Sequence, residues 1–366
     1  MKNLILPLFV LLMAAGCASP DARPQMPLAQ DALDTFLSSG RDARYYGITI
    51  YHDAAGDRFE FANRLHRDRG AEMDFFSPRN LKVPLIEART STFVDFNLLL
   101  DSSARQNWLL LQTIEAMDYR AFAPATGEYP DHVDSTIPGY AGVANKIVMD
   151  TLHVESPIFF VAPATGSLGP LSRANELPEE DLDPKWVTAR TKLGNRTHAV
   201  MGSALMRKFS SIRFDFTARK IRFTSHKSFR PAAASAVRAQ LPMLNWRGRP
   251  VVNAVLNGEP IQLVVDTGGD FDISVPGEME ELVGSLVLGD LELDDVEIYT
   301  HSELGLPENF PARIGLGILS NYLLTLDYKQ HFVWLEDRIT PETEKGTTED
   351  GEEAPAPVLE YRGIRN

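Results

Sequence analysis

Cysteine is nearly missing from this chain of 366 residues: Cys17 is the only one. No disulfide framework is therefore possible within the chain, and its core alone must hold the fold. Positive charge is also in deficit. Lys and Arg number 36 against 50 Asp and Glu, a formal net charge of -14. Phosphate binding needs a basic face, so nucleic acid is excluded as a partner. Eight histidines are scattered, with neither a His-Glu-x-x-His nor an i, i+4 pair, so no metal site is expected. There is no Gly-x-Ser-x-Gly, which removes the nucleophile elbow of serine hydrolases. The two Ala-Pro-Ala-Thr-Gly stretches lack the Lys and hydroxyl residue of a phosphate loop and read as turns. The long apolar run near the start, Leu4 to Met13, is too short to cross a bilayer.

That run has a specific setting. Lys2 precedes it, and Ala14, Ala15, Gly16 and Cys17 follow, the order of charge, apolar stretch and small residues of a secretion signal. The stretch "LLMAAGC" resembles the bacterial lipoprotein signal, with Ala14 where leucine is commoner. The resemblance implies that residues 1–16 are a removed signal peptide and that Cys17 becomes the lipidated first residue. The protein is then exported and anchored by its N-terminal lipid to the bacterial cell envelope. Ala18, where retained lipoproteins carry aspartate, points by the same resemblance to the outer membrane, periplasmic side.

The length exceeds what one compact core accommodates and suggests two domains. Residues 17–40 read as a tether with a short helix around "QDALDTFLSS". "GITIYHDAAGDRFEF" alternates on both sides of a Gly/Asp turn and reads as a hairpin. From there to residue 228 the chain is mostly short β-rich runs, a first unit spanning 41–228. Its exception is "RQNWLLLQTIEAMDY" (105–119), whose spacing predicts a helix. Small residues over 229–240 read as a linker, residues 241–338 as a second β-rich unit, and the acidic, Pro-rich segment 339–366 as a disordered tail.

The two units share an internal repeat. "SLVLGDLELDDVEIYT" (285–300) lies on "KIVMDTLHVESPIFFV" (146–161), "RIGLGILSNYLLTLDY" on "AVMGSALMRKFSSIRFDF", and "IQLVVDTGG" (261–269) on "FNLLLDSSA" (96–104). Three matched blocks in one order argue for duplication. Gly202 follows Asp101 by 101 positions and Gly315 follows Asp266 by 49, so the first copy carries insertions.

In "LVVDTGGDFDISVP" (263–276) an apolar strand leads into Asp266 on a glycine-permitted turn. With the preceding Asn257-Gly258 hairpin and the later "RIGLG", the second copy resembles the retropepsin-like family of aspartic proteases. The resemblance implies an all-β chain of two retropepsin-like acid-protease lobes with short helices. Each lobe lends one aspartate, Asp266 and Asp101, to a dyad at the lobe interface. Two carboxylates held close share one proton; the ionised one takes a proton from water while the protonated one polarises the scissile carbonyl. Neither a metal nor a cofactor enters, and the substrate is a polypeptide. Thr267 and Ser102 would cross-brace the two turns, Gly268 would let the backbone fold close to the carboxylate, and Gly315 and Gly202 would support the site.

The first copy departs from the motif, with Ser103 where the motif has glycine. If that turn needs φ > 0, Ser103 costs on the order of 1 kcal/mol and misplaces Asp101. Two alternatives therefore stand beside a single-chain peptidase. One is a homodimer in which two copies of Asp266 meet; the other is a peptide-binding module without turnover.

Overall fold

The computed structural model describes residues 41–42, 49–53, 56–60, 64–65, 70–78, 81–110, 120–123, 140–144, 146–162, 196–279, 282–304, 306 and 308–338. The leader with Cys17, the tether and the acidic tail lie outside the described residues. The chain is mainly β, and among the described residues no helix is long and apolar enough to cross a membrane.

The first half contributes β1 (Arg41–Asp42), β2 (Thr49–Asp53), β3 (Gly56–Glu60), β4 (Arg64–Leu65), β5 (Ala71–Asp74), β6 (Leu85–Thr90), β7 (Asp95–Leu100) and β8 (Trp108–Leu110). It continues with β9 (Arg120–Ala123), β10 (Tyr140–Val143), β11 (Lys146–Met149), β12 (Leu152–Glu155), β13 (Ile158–Ala162), β14 (Ala199–Met201), β15 (Ser211–Asp215) and β16 (Lys220–Thr224). A one-turn helix, α1 (Ser203–Met206), follows β14. The second half contributes β17 (Val237–Pro242), β18 (Leu244–Trp246), β19 (Arg249–Leu256), β20 (Glu259–Val265), β21 (Ile273–Val275), β22 (Val283–Leu288) and β23 (Leu291–Thr300). Then come β24 (Arg313–Ile314), helix α2 (Leu316–Leu319), β25 (Leu323–Asp327) and β26 (Phe332–Glu336).

The two halves use the same pairings. In the first, β11 pairs β6, β6 pairs β7, β7 runs parallel to β14, β14 antiparallel to β8, and β8 parallel to β13. In the second, β22, β19, β20, β24, β21 and β23 repeat those partnerships in the same order and directions. Their turns match as well: Asp150 (φ 52) after β11 corresponds to Gly289 (φ 62) after β22. Asn257 (φ 50) and Gly258 (φ 83) form the mirror-type two-residue turn between β19 and β20, which fits the right-handed twist of the strands it joins. Among the described residues, the antiparallel pair β9–β10, which extends the sheet beyond β13, belongs to the first half alone.

A third sheet joins the halves, in the order β17-β26-β25-β15-β16-β5. Its centre is the antiparallel pair β15–β25, with Arg213 opposite Thr325. Two expectations need correction here. Within 105–119, Trp108–Leu110 is a strand, because β13 and β14 pair with it from both sides and bury Trp108 and Leu109; tertiary pairing overrides local spacing. Residues 111–119 lie outside the described residues. In the expected linker, Val237–Gln240 is already strand, paired with β26 and burying Ala239 and Leu241 on one face.

Strands β7 and β20 carry the chain toward the site. Their outer ends are partly exposed, whereas Leu98, Leu99 and Leu100, and Leu263, Val264 and Val265, are buried without alternation. Consecutive burial means that both faces are covered at the inner ends. Each strand therefore delivers the next residue, an aspartate, into the interior between the halves.

Candidate active site

Asp101 and Asp266 follow β7 and β20 directly, and both are buried. Their backbone N–H groups donate to equivalent carbonyls on the neighbouring parallel strands: Asp101 to Met201 at 3.0 Å and Asp266 to Ile314 at 2.9 Å. The two turns meet. Ser102 N donates to Thr267 Oγ1 (3.0 Å), and Thr267 N donates to Ser102 Oγ (3.1 Å). Each hydroxyl then donates across to the strand of the other half: Thr267 Oγ1 to Leu100 O (2.9 Å) and Ser102 Oγ to Val265 O (2.5 Å). Four reciprocal bonds, all buried, fix the two carboxylate turns against each other. The turn facing Asp266 thus comes from the same chain.

The glycines reveal why the two turns differ in sequence. A Cβ on Gly268 would lie 2.6 Å from Asp101 Cγ, so only glycine lets the Asp101 carboxyl rest on the opposite turn. No such restriction acts on Ser103. Neither Gly268 nor Ser103 has positive φ, so the strain that a serine could have introduced there is absent. Instead Ser103 donates twice to Asp101 Oδ1, from N at 2.8 Å and from Oγ at 2.7 Å, and Ala104 N adds a third bond at 3.1 Å. Asp266 Oδ1 accepts from Gly268 N at 3.0 Å.

Gly202 and Gly315 precede α1 and α2, and both are sites of close approach. A Cβ would lie 2.1 Å from Gln106 O at Gly202 and 2.3 Å from Phe271 O at Gly315. Removing the side chain lets each helix start dock on a carboxylate turn. Ser203 N donates to Ala104 O (2.7 Å), and Leu316 N donates to Gly269 O (2.8 Å). Ser203 Oγ adds a bond to Ser102 O at 2.5 Å.

Two residues of the site escape a reading of the sequence. Arg313, the first residue of β24, is buried, and its Nη1 donates to Asp266 Oδ2 at 3.1 Å and to Ser103 Oγ at 3.3 Å. Arg249, the first residue of β19, is also buried, and its Nε donates to Ser103 O at 2.5 Å. Phe310 lies under both guanidiniums, at 4.6 Å from Arg313 and 4.8 Å from Arg249, and Trp246 lies 5.0 Å from Arg249. Aromatic faces supply part of the solvation that buried cations lose. The one sequence signal is an arginine set between Ala312 and Ile314 in an otherwise apolar run.

The electrostatics follow from burial. Loss of water around the Asp101 carboxyl and the nearby charge of Asp266 push it up to about 6, against the pull of the Ser103 bond, the Arg313 charge and the Ala104 N–H. Asp101 therefore holds a proton in mildly acidic solution that an exposed aspartate would release. The arrangement can present a carboxylate and a carboxylic acid side by side, out of water, on turns that cannot move independently. No family model matches this chain, and no curated protein matches it in sequence.

Proposed function

We propose that the chain is an aspartic endopeptidase, hydrolysing peptide bonds with water activated between Asp101 and Asp266. The observation that carries this reading is the reciprocal bracing of the two carboxylate turns through Ser102 and Thr267. A structural aspartate at a strand end needs no such partner. In the reaction the ionised carboxylate accepts a proton from the attacking water, and the protonated one donates to the carbonyl oxygen as the tetrahedral intermediate forms. Collapse returns a proton to the leaving amine and regenerates one shared proton on the pair. With the Asp266 turn already braced by Ser102 of its own chain, the single-chain dyad is favoured over pairing of two Asp266 copies. Export and lipidation at Cys17 belong to the same proposal and rest on the leader's sequence alone.

One observation favours a second reading, a peptide-binding module without turnover: Arg313 already occupies an oxygen of Asp266. Cleavage of an unfolded polypeptide by the purified chain, followed by mass spectrometry from acid to neutral pH, separates the two. The peptidase reading expects internal cleavage that is lost in both Asp101→Asn and Asp266→Asn and blocked by mimics of the tetrahedral state. Peptide binding without any cleavage would establish the binding module instead.

A further inference from the structure

The two aspartates stand in unequal surroundings. Asp101 Oδ1 accepts three bonds, from Ser103 N, Ser103 Oγ and Ala104 N, and none of these donors carries charge. Asp266 accepts one neutral bond at Oδ1, from Gly268 N, and a charged one at Oδ2, from Arg313. Arg313 and Asp266 are 1% and 0% exposed, so water screens their attraction little. Arg249 also lies at the site, where its Nε bonds the backbone carbonyl of Ser103. Beyond it lies Arg105, whose stem packs near Gly248.

From this geometry we propose that Arg313 decides which aspartate is the base. Its guanidinium holds Asp266 as the ionised member of the pair, and the shared proton resides on Asp101. The inference rests on the dyad reading for its chemical meaning, but not for its geometry. With Asp101 Oδ1 filled by donors, the proton goes to Oδ2, the oxygen facing the Gly268 turn. Asp101 is then the acid that polarises the carbonyl, and Asp266 the base that takes the proton from water. Arg313 acts through Asp266 and is a positioning residue. Two consequences follow for the proton on Asp101. The charge of Asp266 helps retain it, and the charge of Arg313 opposes it. Loss of the guanidinium should therefore let Asp101 keep its proton to higher pH, while Asp266 loses the cation that set it apart and begins to share that proton.

Carboxyl-carbon NMR of aspartate-labelled protein tests this, with Asp101→Asn and Asp266→Asn assigning the two signals. In the unaltered chain only the Asp101 signal should move through the transition near pH 6, while Asp266 stays at its ionised position. In Arg313→Met both signals should move together, with the transition displaced upward by about one pH unit. Arg313→Lys, which retains a cation, should restore the split. Two signals moving together in the unaltered chain would overturn the proposal. So would an Arg313→Met protein whose Asp101 transition stays in place. The first arm needs no variant at position 313, so it stays decisive even if Arg313→Met does not fold. If no form of the protein cleaves any polypeptide yet the signals divide as expected, the peptidase reading falls and the assignment of the proton stands. If cleavage occurs, the alkaline limb of kcat/KM should move upward in Arg313→Met and remain in place in Arg313→Lys.

Discussion

Gly268→Ala is the substitution whose cost can be worked out most directly. The added methyl would sit 2.6 Å from Asp101 Cγ, 2.9 Å from its Oδ2 and 3.0 Å from its Cβ. Real Cβ atoms do not approach that closely, so one of the two turns has to move. Asp101 is tied by three bonds to Oδ1 and by its backbone N–H to Met201 O. The Gly268 turn is tied by Thr267 to Ser102 and Leu100. Overpacking of a filled interior costs about 1–3 kcal/mol, and a strained or broken buried hydrogen bond adds about 1 kcal/mol. We expect a total near 3 kcal/mol, read as a lower midpoint in urea unfolding followed by tryptophan fluorescence. On the peptidase reading cleavage should also fall, by about 100-fold, because a carboxylate displaced by an ångström no longer meets its reaction partners. Gly258→Ala is the control. Its Cβ would meet nothing within 4 Å, but its φ is +83, so it should cost about 1 kcal/mol through the backbone alone. A Gly268→Ala protein no less stable than Gly258→Ala would refute the close approach of Asp101.

The raised Asp101 carboxyl also predicts a pH-dependent stability. The folded state keeps a proton up to about pH 6 that the unfolded chain releases near 3.8, so its stabilising contribution is complete below that lower value and fades as pH rises through 6. The difference is about 3 kcal/mol, and Asp101→Asn should remove that slope when urea midpoints are compared across this range; parallel curves would contradict it. Ser102→Ala and Thr267→Ala should each cost about 1–3 kcal/mol by orphaning a buried partner. Their double mutant should cost less than the two together, since both belong to one network; strict additivity would count against mutual bracing. Cys17→Ser should release the native protein from the membrane fraction, and unchanged fractionation would remove the lipid anchor.

Much of this was legible because the two halves write each feature twice. Asp101 could be placed beside Asp266 only because the flanking blocks recur in order, and the same blocks located Gly202 against Gly315. The misread segments are those where distant strands decide the outcome. Helical spacing at Trp108–Leu110 yields to pairing with β13 and β14, and the small residues at Val237–Gln240 read as a linker until β26 is present to pair with them. The sheet formed by β15 and β25 left no local trace, since its register is a relation between residues more than a hundred positions apart. The arginines were illegible for a related reason. A charged residue at a strand start reads as solvent-facing, and only the approach of Asp266, 47 positions away, and of Ser103, 210 positions away, makes Arg313 an interior group. The worry over Ser103 belonged to backbone angles, which residue type alone does not fix.

The bracing between Ser102 and Thr267 spans 165 positions, and this has a bearing on time as well as space. A nascent chain that has emerged only through β16 holds one carboxylate turn and nothing to set against it. Pairings of such long reach form late, after the entropy of closing the intervening loop has been met. The braced pair of turns is therefore expected to form late, once the strands of the second half are present to meet those of the first. On the peptidase reading, a chain with this layout holds no complete dyad until Thr267 and its strand have been made, so the delay is built into the order in which its strands can meet.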